Sequence, residues 1–329
     1  MDAGLTLGAG ASRRRSLPSA SGWRAAAALG LLALAIAPWF GGAFVLHLAI
    51  LTCLNVLIVG GLALIDRAGQ LSFGHSAPVA IGAYAAVLAG QHLGLGSLGA
   101  TLLALVLVAV VSLLLGWVIL RLRGVYFVLV TFAFAELVRL LLLDFGGLTG
   151  GASGIAGIAP LAVAGFSFDS RERFYALALV VAALSVALLA VIHQRPLGRA
   201  MAAVAANPAL AESVGLSVLR VQLVAYVLGC SLAALGGVLT VRYIGFVSPE
   251  SFATAASVAF ITMLVIGGRG SLYGPLAGAI VLTPLPELFR GAVQTQHLFY
   301  GAALILILRF LPGGIASLPA RLRQLRSPR

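Results

Sequence analysis

The sequence predicts an all-α fold: a polytopic integral membrane helical bundle of about ten transmembrane segments, some of them short or broken. Three observations predict it. Apolar residues make up 61% of the chain and charged residues only 9%, against about 45–50% and 25% in soluble domains. So little charge cannot coat a soluble surface. The apolar residues also fall into runs close to the ~20 that cross the hydrocarbon at 1.5 Å per residue. Finally, the short breaks between those runs carry most of the basic residues, and all 21 of these are arginine.

Full spans are expected at 25–44, 45–65, 98–120, 125–143, 174–193, 221–241 and, slightly short, 297–311. Shorter or glycine-rich segments at 78–92, 255–268 and 275–290 complete the set. The transmembrane domain, 25–311, is flanked by a tail at 1–24 and a basic tail at 312–329. With ten crossings both termini share a side. A cytoplasmic N-terminus places sixteen arginines inside, and Arg171, Arg173, Arg242 and Arg290 outside, with Arg139 within the membrane. The positive-inside rule favours that orientation. The net charge of +12 is then a topology signal. A nucleic-acid surface would cluster arginine with polar and aromatic residues, so lipid is the expected partner and nucleic acid is not. SRRRSL at 12–17, followed by AAAALGLLALAIA, has the texture of a signal segment. A cytoplasmic tail and first span is the preferred reading, because the rest of the chain is polytopic. Cys53 and Cys230 both lie in apolar runs, where a small buried apolar role is expected rather than a disulfide or metal site.

Several segments carry more than topology. Glu136 and Arg139 stand three apart inside VYFVLVTFAFAELVRLLLL (125–143), so on a helix they share a face. Facing lipid, each would cost roughly 2.5–3.5 kcal/mol at the helix centre. A protein interior or a water-filled path is expected instead, which makes transport the first functional class to consider. DRAGQLSFGHSAP (66–78) is a polar break between apolar segments. It reads either as an ordinary cytoplasmic turn or as a re-entrant element lining the path, since irregular backbone at membrane depth must be covered by protein or water. GGRGSLYGP (267–275) has a similar texture and hints at an internal repeat. The glycine-rich stretch at 144–173 is expected outside, as a solvated connection or a surface for an external partner.

The most specific local structure is QRPLGRAMAAVAANPALAESVGLSVLR (194–220). Pro196 can begin a helix, Asn207-Pro208 reads as an N-cap followed by a first turn, and Gly215 reads as the residue that ends the second helix. Two short cytoplasmic helices are expected, with Met201, Val204, Leu210 and Val214 too apolar to remain bare. Either the loop tucks beneath its own bundle or a partner covers it. A phosphate-binding loop of the Walker type needs a lysine, and the chain has none; HExxH and GxSxG are also missing from the sequence. No catalytic residue, cofactor or metal is therefore expected in this chain.

The order and wording of these segments resemble the permease subunit of branched-chain amino-acid ABC importers, the LivM type. The resemblance rests on AGQLSFGHSAPVAIGAYAA (68–86), RLRGVYFVLVTFAFAELVR (121–139), LTGGASGIAGI (148–158), the run from Pro196 to Leu239, and GFVSPESF followed by VIGGRGSLYGPLAGAIV (245–281). It implies an inner-membrane subunit that moves branched-chain (aliphatic) amino acids from periplasm to cytoplasm. The implied partners are a second, H-type permease, two cytoplasmic ATPases that bind the ATP, and a periplasmic substrate-binding protein. It assigns 194–220 as the ATPase-coupling loop, with Arg199, Met201, Val204, Leu210, Glu212 and Gly215 as candidate contacts. Gln70, Ser72, His75, Glu136 and Arg139 are the candidate translocation path. Ala205-Ala206-Asn207-Pro208 stands where M-type members often carry charge, a texture closer to the H-type and its relatives. Urea or a sugar is the alternative cargo, and a proton-coupled secondary transporter using Glu136 and Arg139 is the alternative mechanism.

Overall fold

The computed structural model describes residues 42–288 except 164, 270 and 272, together with positions 30, 32, 34, 36, 301, 305, 309, 314 and 315. The expected spans at 25–44 and 297–311 and the tails at 1–24 and 312–329 lie wholly or largely outside the described residues.

The chain runs through α1 (Ala43–Arg67), α2 (Ser76–His92), α3 (Ser97–Ile119) and α4 (Val125–Asp144). A single helical turn, Gly146–Thr149, leads to β1 (Ile155–Ala156), β2 (Ala162–Val163) and β3 (Phe166–Ser167). Then come α5 (Arg171–Gln194), α6 (Pro196–Ala206), α7 (Pro208–Ser213), α8 (Val218–Ile244) and β4 (Phe246–Val247). A 3₁₀ turn, Pro249–Phe252, precedes α9 (Thr254–Gly267), α10 (Gly274–Leu282) and α11 (Pro284–Leu288).

Six helical segments among the described residues are long and apolar enough to cross a membrane: α1, α3, α4, α5, α8 and Pro249–Gly267. Two further expected spans, at 25–44 and 297–311, fall largely outside the described residues, and two expected segments are short helices here. The segment at 78–92 belongs to α2, which has 17 residues, and the segment at 275–290, described as far as 288, is interrupted at Thr283. At 1.5 Å per residue, α2 spans roughly 25 Å, less than the hydrocarbon. The fold is also not purely α-helical. β1 pairs antiparallel with β4, Ile155 opposite Val247, and β2 pairs with β3. These ribbons satisfy backbone groups where the chain turns at one end of the bundle. They make the glycine-rich stretch a folded cap rather than a plain connection.

The bundle is organised around α1 and α8. Ile50, Cys53, Val56, Leu57 and Val59 of α1 are fully enclosed, and α8 crosses it where Gly61 meets Gly229. A Cβ built on Gly61 would lie 2.2 Å from the Gly229 carbonyl oxygen, and one on Gly229 would lie 2.5 Å from that of Gly61. Gly229, Ala233 and Gly237 recur every fourth residue, so they form one strip of small side chains. In lipid there is little hydrophobic drive between helices, and close backbone approach through small residues supplies the packing. The opposite kind of surface lies on α3, α4 and α5, where Leu102, Leu114, Trp117, Leu129, Leu137 and Leu184 are turned outward. An exposed belt of that kind suits hydrocarbon rather than water. Both cysteines are buried, as expected of small apolar residues in apolar runs.

Candidate functional site

The two ends of the bundle differ in charge. One gathers Arg67, Arg195, Arg199, Arg220 and Arg269 around the end of α1, the α6–α7 segment and the start of α8. Arg121 and Arg123 join them, because Leu120 and Leu122 pack with Ile65 and Leu219. Asp66 and Glu212 are the acidic residues there. At the other end Arg171, Arg173 and Arg242 stand with Asp144, Asp169, Glu172 and Glu250. This matches the asymmetry read from the arginines.

At the arginine-rich end α6 and α7 form a capped hairpin. Pro196 opens α6. The Leu210 backbone N–H donates to the Asn207 side chain at 3.2 Å, and Pro208 is the first residue of α7. Gly215 adopts φ +85°. Its N–H reaches the Glu212 carbonyl at 2.9 Å, and the Leu216 N–H reaches that of Ala211 at 3.0 Å. This pair of bonds is a Schellman ending, which requires a left-handed residue at Gly215. The local expectations for Asn207, Pro208 and Gly215 therefore hold.

Of the four apolar residues expected to need cover, the bundle itself covers two. Met201 is fully buried among Leu64, Ala68, Leu189, Ile192 and Ala225, and Val204 is fully buried with Ala211 and Val218. They anchor the hairpin to its own bundle. Leu210 and Val214 remain 63% and 70% exposed, and Arg199, Glu212 and Gly215 lie beside them on the outer surface. The hairpin is thus clamped from within and presents a second apolar face outward. Its inner side also abuts the break after α1, since a Cβ on Gly69 would lie 3.0 Å from the Ala205 Cα.

That break is irregular backbone returning into the bundle. Asp66 is held at the arginine-rich end by Arg269, whose Nε donates to it at 3.0 Å. Nine residues later His75 lies beside Ile58 of α1, its Nε2 2.9 Å from the Ile58 carbonyl oxygen. A carbonyl only accepts, so Nε2 carries the proton. Ile58 sits about 13 Å along the axis from Arg67, so residues 68–75 climb to that depth. They are covered by protein: Gln70, Ser72 and His75 are all buried. The Phe73 N–H donates to Thr131 Oγ1 of α4 at 3.2 Å. Gly74 lies so close to α4 that a Cβ would be 2.0 Å from the Thr131 carbonyl oxygen.

From the top of this climb a polar seam continues along α9. The Ser76 N–H and the Ser257 hydroxyl share a 2.9 Å contact, and Thr254 Oγ1 donates to Glu136 Oε2 at 3.4 Å. Arg139 donates through Nε to Glu136 at 3.0 Å and through Nη1 to Glu250 at 2.7 Å. The Glu136–Arg139 pair is therefore a triad, and it sits near the end opposite the hairpin. The Arg139 side chain is 18% exposed and that of Glu250 62%. The pair stands apart from Gln70, Ser72 and His75 along the bundle. Among the described residues, Thr254, Ser257 and Ser76 lie between the two groups. None of the last three was singled out in the sequence, although Thr254 and Ser257 are spaced to share a helix face. Glu250, 111 residues from Arg139, left no local signal.

Residues 44–308 match the family described as the branched-chain amino acid transport system permease component. The chain belongs to this permease family. It is 32% identical over 310 residues, 87% of its own length and 73% of the relative's, to the high-affinity branched-chain amino acid transport system permease protein LivM of Escherichia coli K12. It is 31% identical, over the same shares of both chains, to LivM of Salmonella typhimurium. A shorter match, 32% over 136 residues, covers 41% of the chain and 44% of LivH of Salmonella typhimurium. No solved structure matches. The relatives are transport components, and the apolar spans make this permease a multi-pass membrane protein. Within the permease, the hairpin and the seam lie at opposite ends of one continuous course. It runs from Ala205 against Gly69, through the buried break, to His75 and then along α9 to Arg139.

Proposed function

We propose that this permease is the M-type transmembrane subunit of an ATP-driven importer, carrying branched-chain amino acids from periplasm to cytoplasm across the inner membrane. Its partners are an H-type permease, two cytoplasmic ATPases that bind the ATP, and a periplasmic binding protein. The observation that carries this reading is the α6–α7 hairpin. Its second helix is capped by Asn207 at the start and closed at Gly215, and the hairpin is anchored inward by Met201 and Val204 and left with Leu210 and Val214 exposed at the arginine-rich end. A rigid element that presents apolar side chains outside the bilayer suits a docking surface for a soluble subunit. A secondary transporter has no use for such a surface.

The arginine-rich end is assigned to the cytoplasm by the positive-inside rule, which places both termini there and residues 144–173 in the periplasm. Ser153 and Ser217 are both exposed, and the native Cys53 and Cys230 are buried. Ser153→Cys should label with an impermeant thiol reagent in whole cells, and Ser217→Cys only after the membrane is opened. Labelling at position 217 in intact cells would reverse the orientation.

Uptake decides the cargo. A strain lacking its own branched-chain uptake, given this permease and its partner subunits, should accumulate radiolabelled leucine in preference to urea or ribose. It should do so in the presence of protonophore while ATP is held constant. Accumulation of urea or ribose alone would move the permease to a different cargo. Loss of uptake with protonophore would favour proton coupling.

A further inference from the structure

At the end opposite the hairpin, a cavity of about 420 Å³ opens between α1, α5, α8 and the β1–β3 segment. Arg242, in the last turn of α8, is part of its wall. Arg242 is only 8% exposed. Its Nη1 donates to Ser97 Oγ at 3.2 Å and to the Ala159 carbonyl at 3.3 Å. Its Nε is enclosed without an acceptor, and among the described residues no carboxylate pairs with it. Nη1 accounts for a structural duty, holding α3 to the cap. It leaves a buried charge with neutral partners, which is costly unless an anion completes it.

The rest of the cavity has a mixed character. Arg171 adds a second cation and Asp169 a carboxylate, while Ile158, Phe168, Phe174 and Ile244 make an apolar wall. Asp169 also meets Arg173 at 3.3 Å in an exposed pair, so it remains solvated and able to accept another donor. The volume falls within the range typical of small-molecule sites, which combine apolar walls with a few placed polar groups.

We infer that this cavity is an entry site for a free α-amino acid with an aliphatic side chain. Arg242, assisted by Arg171, takes the carboxylate, Asp169 takes the ammonium group, and Phe168, Phe174 and their aliphatic neighbours hold the side chain. A hydrogen bond from a guanidinium to a carboxylate is charge-assisted and among the stronger ones. The inference rests on the importer reading, in which this end faces the periplasm.

Direct binding tests it. The permease complex in nanodiscs, without its delivery protein, should bind tritiated leucine saturably. Unlabelled leucine should compete and leucine methyl ester, which lacks the carboxylate, should not. Arg242→Gln should weaken binding about tenfold or more, the usual scale for losing a charge-assisted hydrogen bond. Equal competition by the methyl ester overturns the site without depending on whether the variant folds. Absence of saturable binding also overturns it. Should cross-linking to the delivery protein then depend on Arg242, the carboxylate belongs to an acidic side chain of that protein. If leucine is still taken up by cells in either case, the importer reading stands and only this site falls.

Discussion

Gly61→Ala lowers the melting temperature of the purified permease, and Gly61→Val abolishes recovery of folded chain. The sign of the first result is the informative part. In a helix interior alanine is normally favoured over glycine by about 1 kcal/mol. Here the added Cβ would lie 2.2 Å from the Gly229 carbonyl oxygen and 3.2 Å from the Ala233 nitrogen. Both obstacles are helix backbone and cannot rotate aside. α1 and α8 would have to part by roughly an ångström, and dispersion falls steeply over such a gap. Overpacking usually costs about 1–3 kcal/mol, more where nothing yields, which outweighs the helix preference. The two extra methyls of valine push the helices further apart. Gly147→Ala is the control, because nothing lies within 4 Å of its added Cβ. Size-exclusion chromatography after a heating series reads both. Wild-type behaviour of Gly61→Ala would mean that the two helices do not touch there.

The second large effect is at the hairpin. Leu210→Asp combined with Val214→Asp leaves folded yield unchanged, removes the ATPases from the purified complex and abolishes leucine uptake. Both side chains are mostly exposed in the isolated permease, so the charges cost it little. Burying each against a partner is worth about 1.5–3 kcal/mol, so losing both weakens association by at least a hundredfold. Met201→Asp has the opposite profile: its side chain is fully buried, and the variant loses folded chain before any question of docking arises. Gly215→Val separates geometry from surface chemistry. At φ +85° a β-branched residue is strongly disfavoured, so the exit of α7 is distorted while the spans insert normally. Full ATPase association with the double aspartate variant would reduce the hairpin to a surface turn.

Much of the local structure was legible in the sequence. The ends of α3, α4, α5 and α8 lie within a few residues of the predicted spans, because bilayer thickness sets the length of an apolar run. Asn207, Pro208 and Gly215 were readable because caps are local: each involves residues fewer than six apart. The break at 68–75 was recognisable as irregular, but its climb to Ile58 depends on a contact that no local pattern announces.

By itself, then, the sequence determined where the long apolar helices α3, α4, α5 and α8 lie, which loops carry the positive charge, and how the second helix of the hairpin is capped. Only the tertiary structure decided which side of that hairpin is buried, that Arg139 answers Glu250 as well as Glu136, and that Arg269 returns across 203 residues to Asp66. The physical reason lies in the solvent. In water an apolar side chain points to the core, so periodicity reveals the packed face. In lipid leucine is equally at home against hydrocarbon or protein, and Leu57 and Leu137 read alike in the sequence although only the first is enclosed. The packed faces of such a bundle are marked by glycines and polar groups, and which of these meet is settled only when the helices assemble.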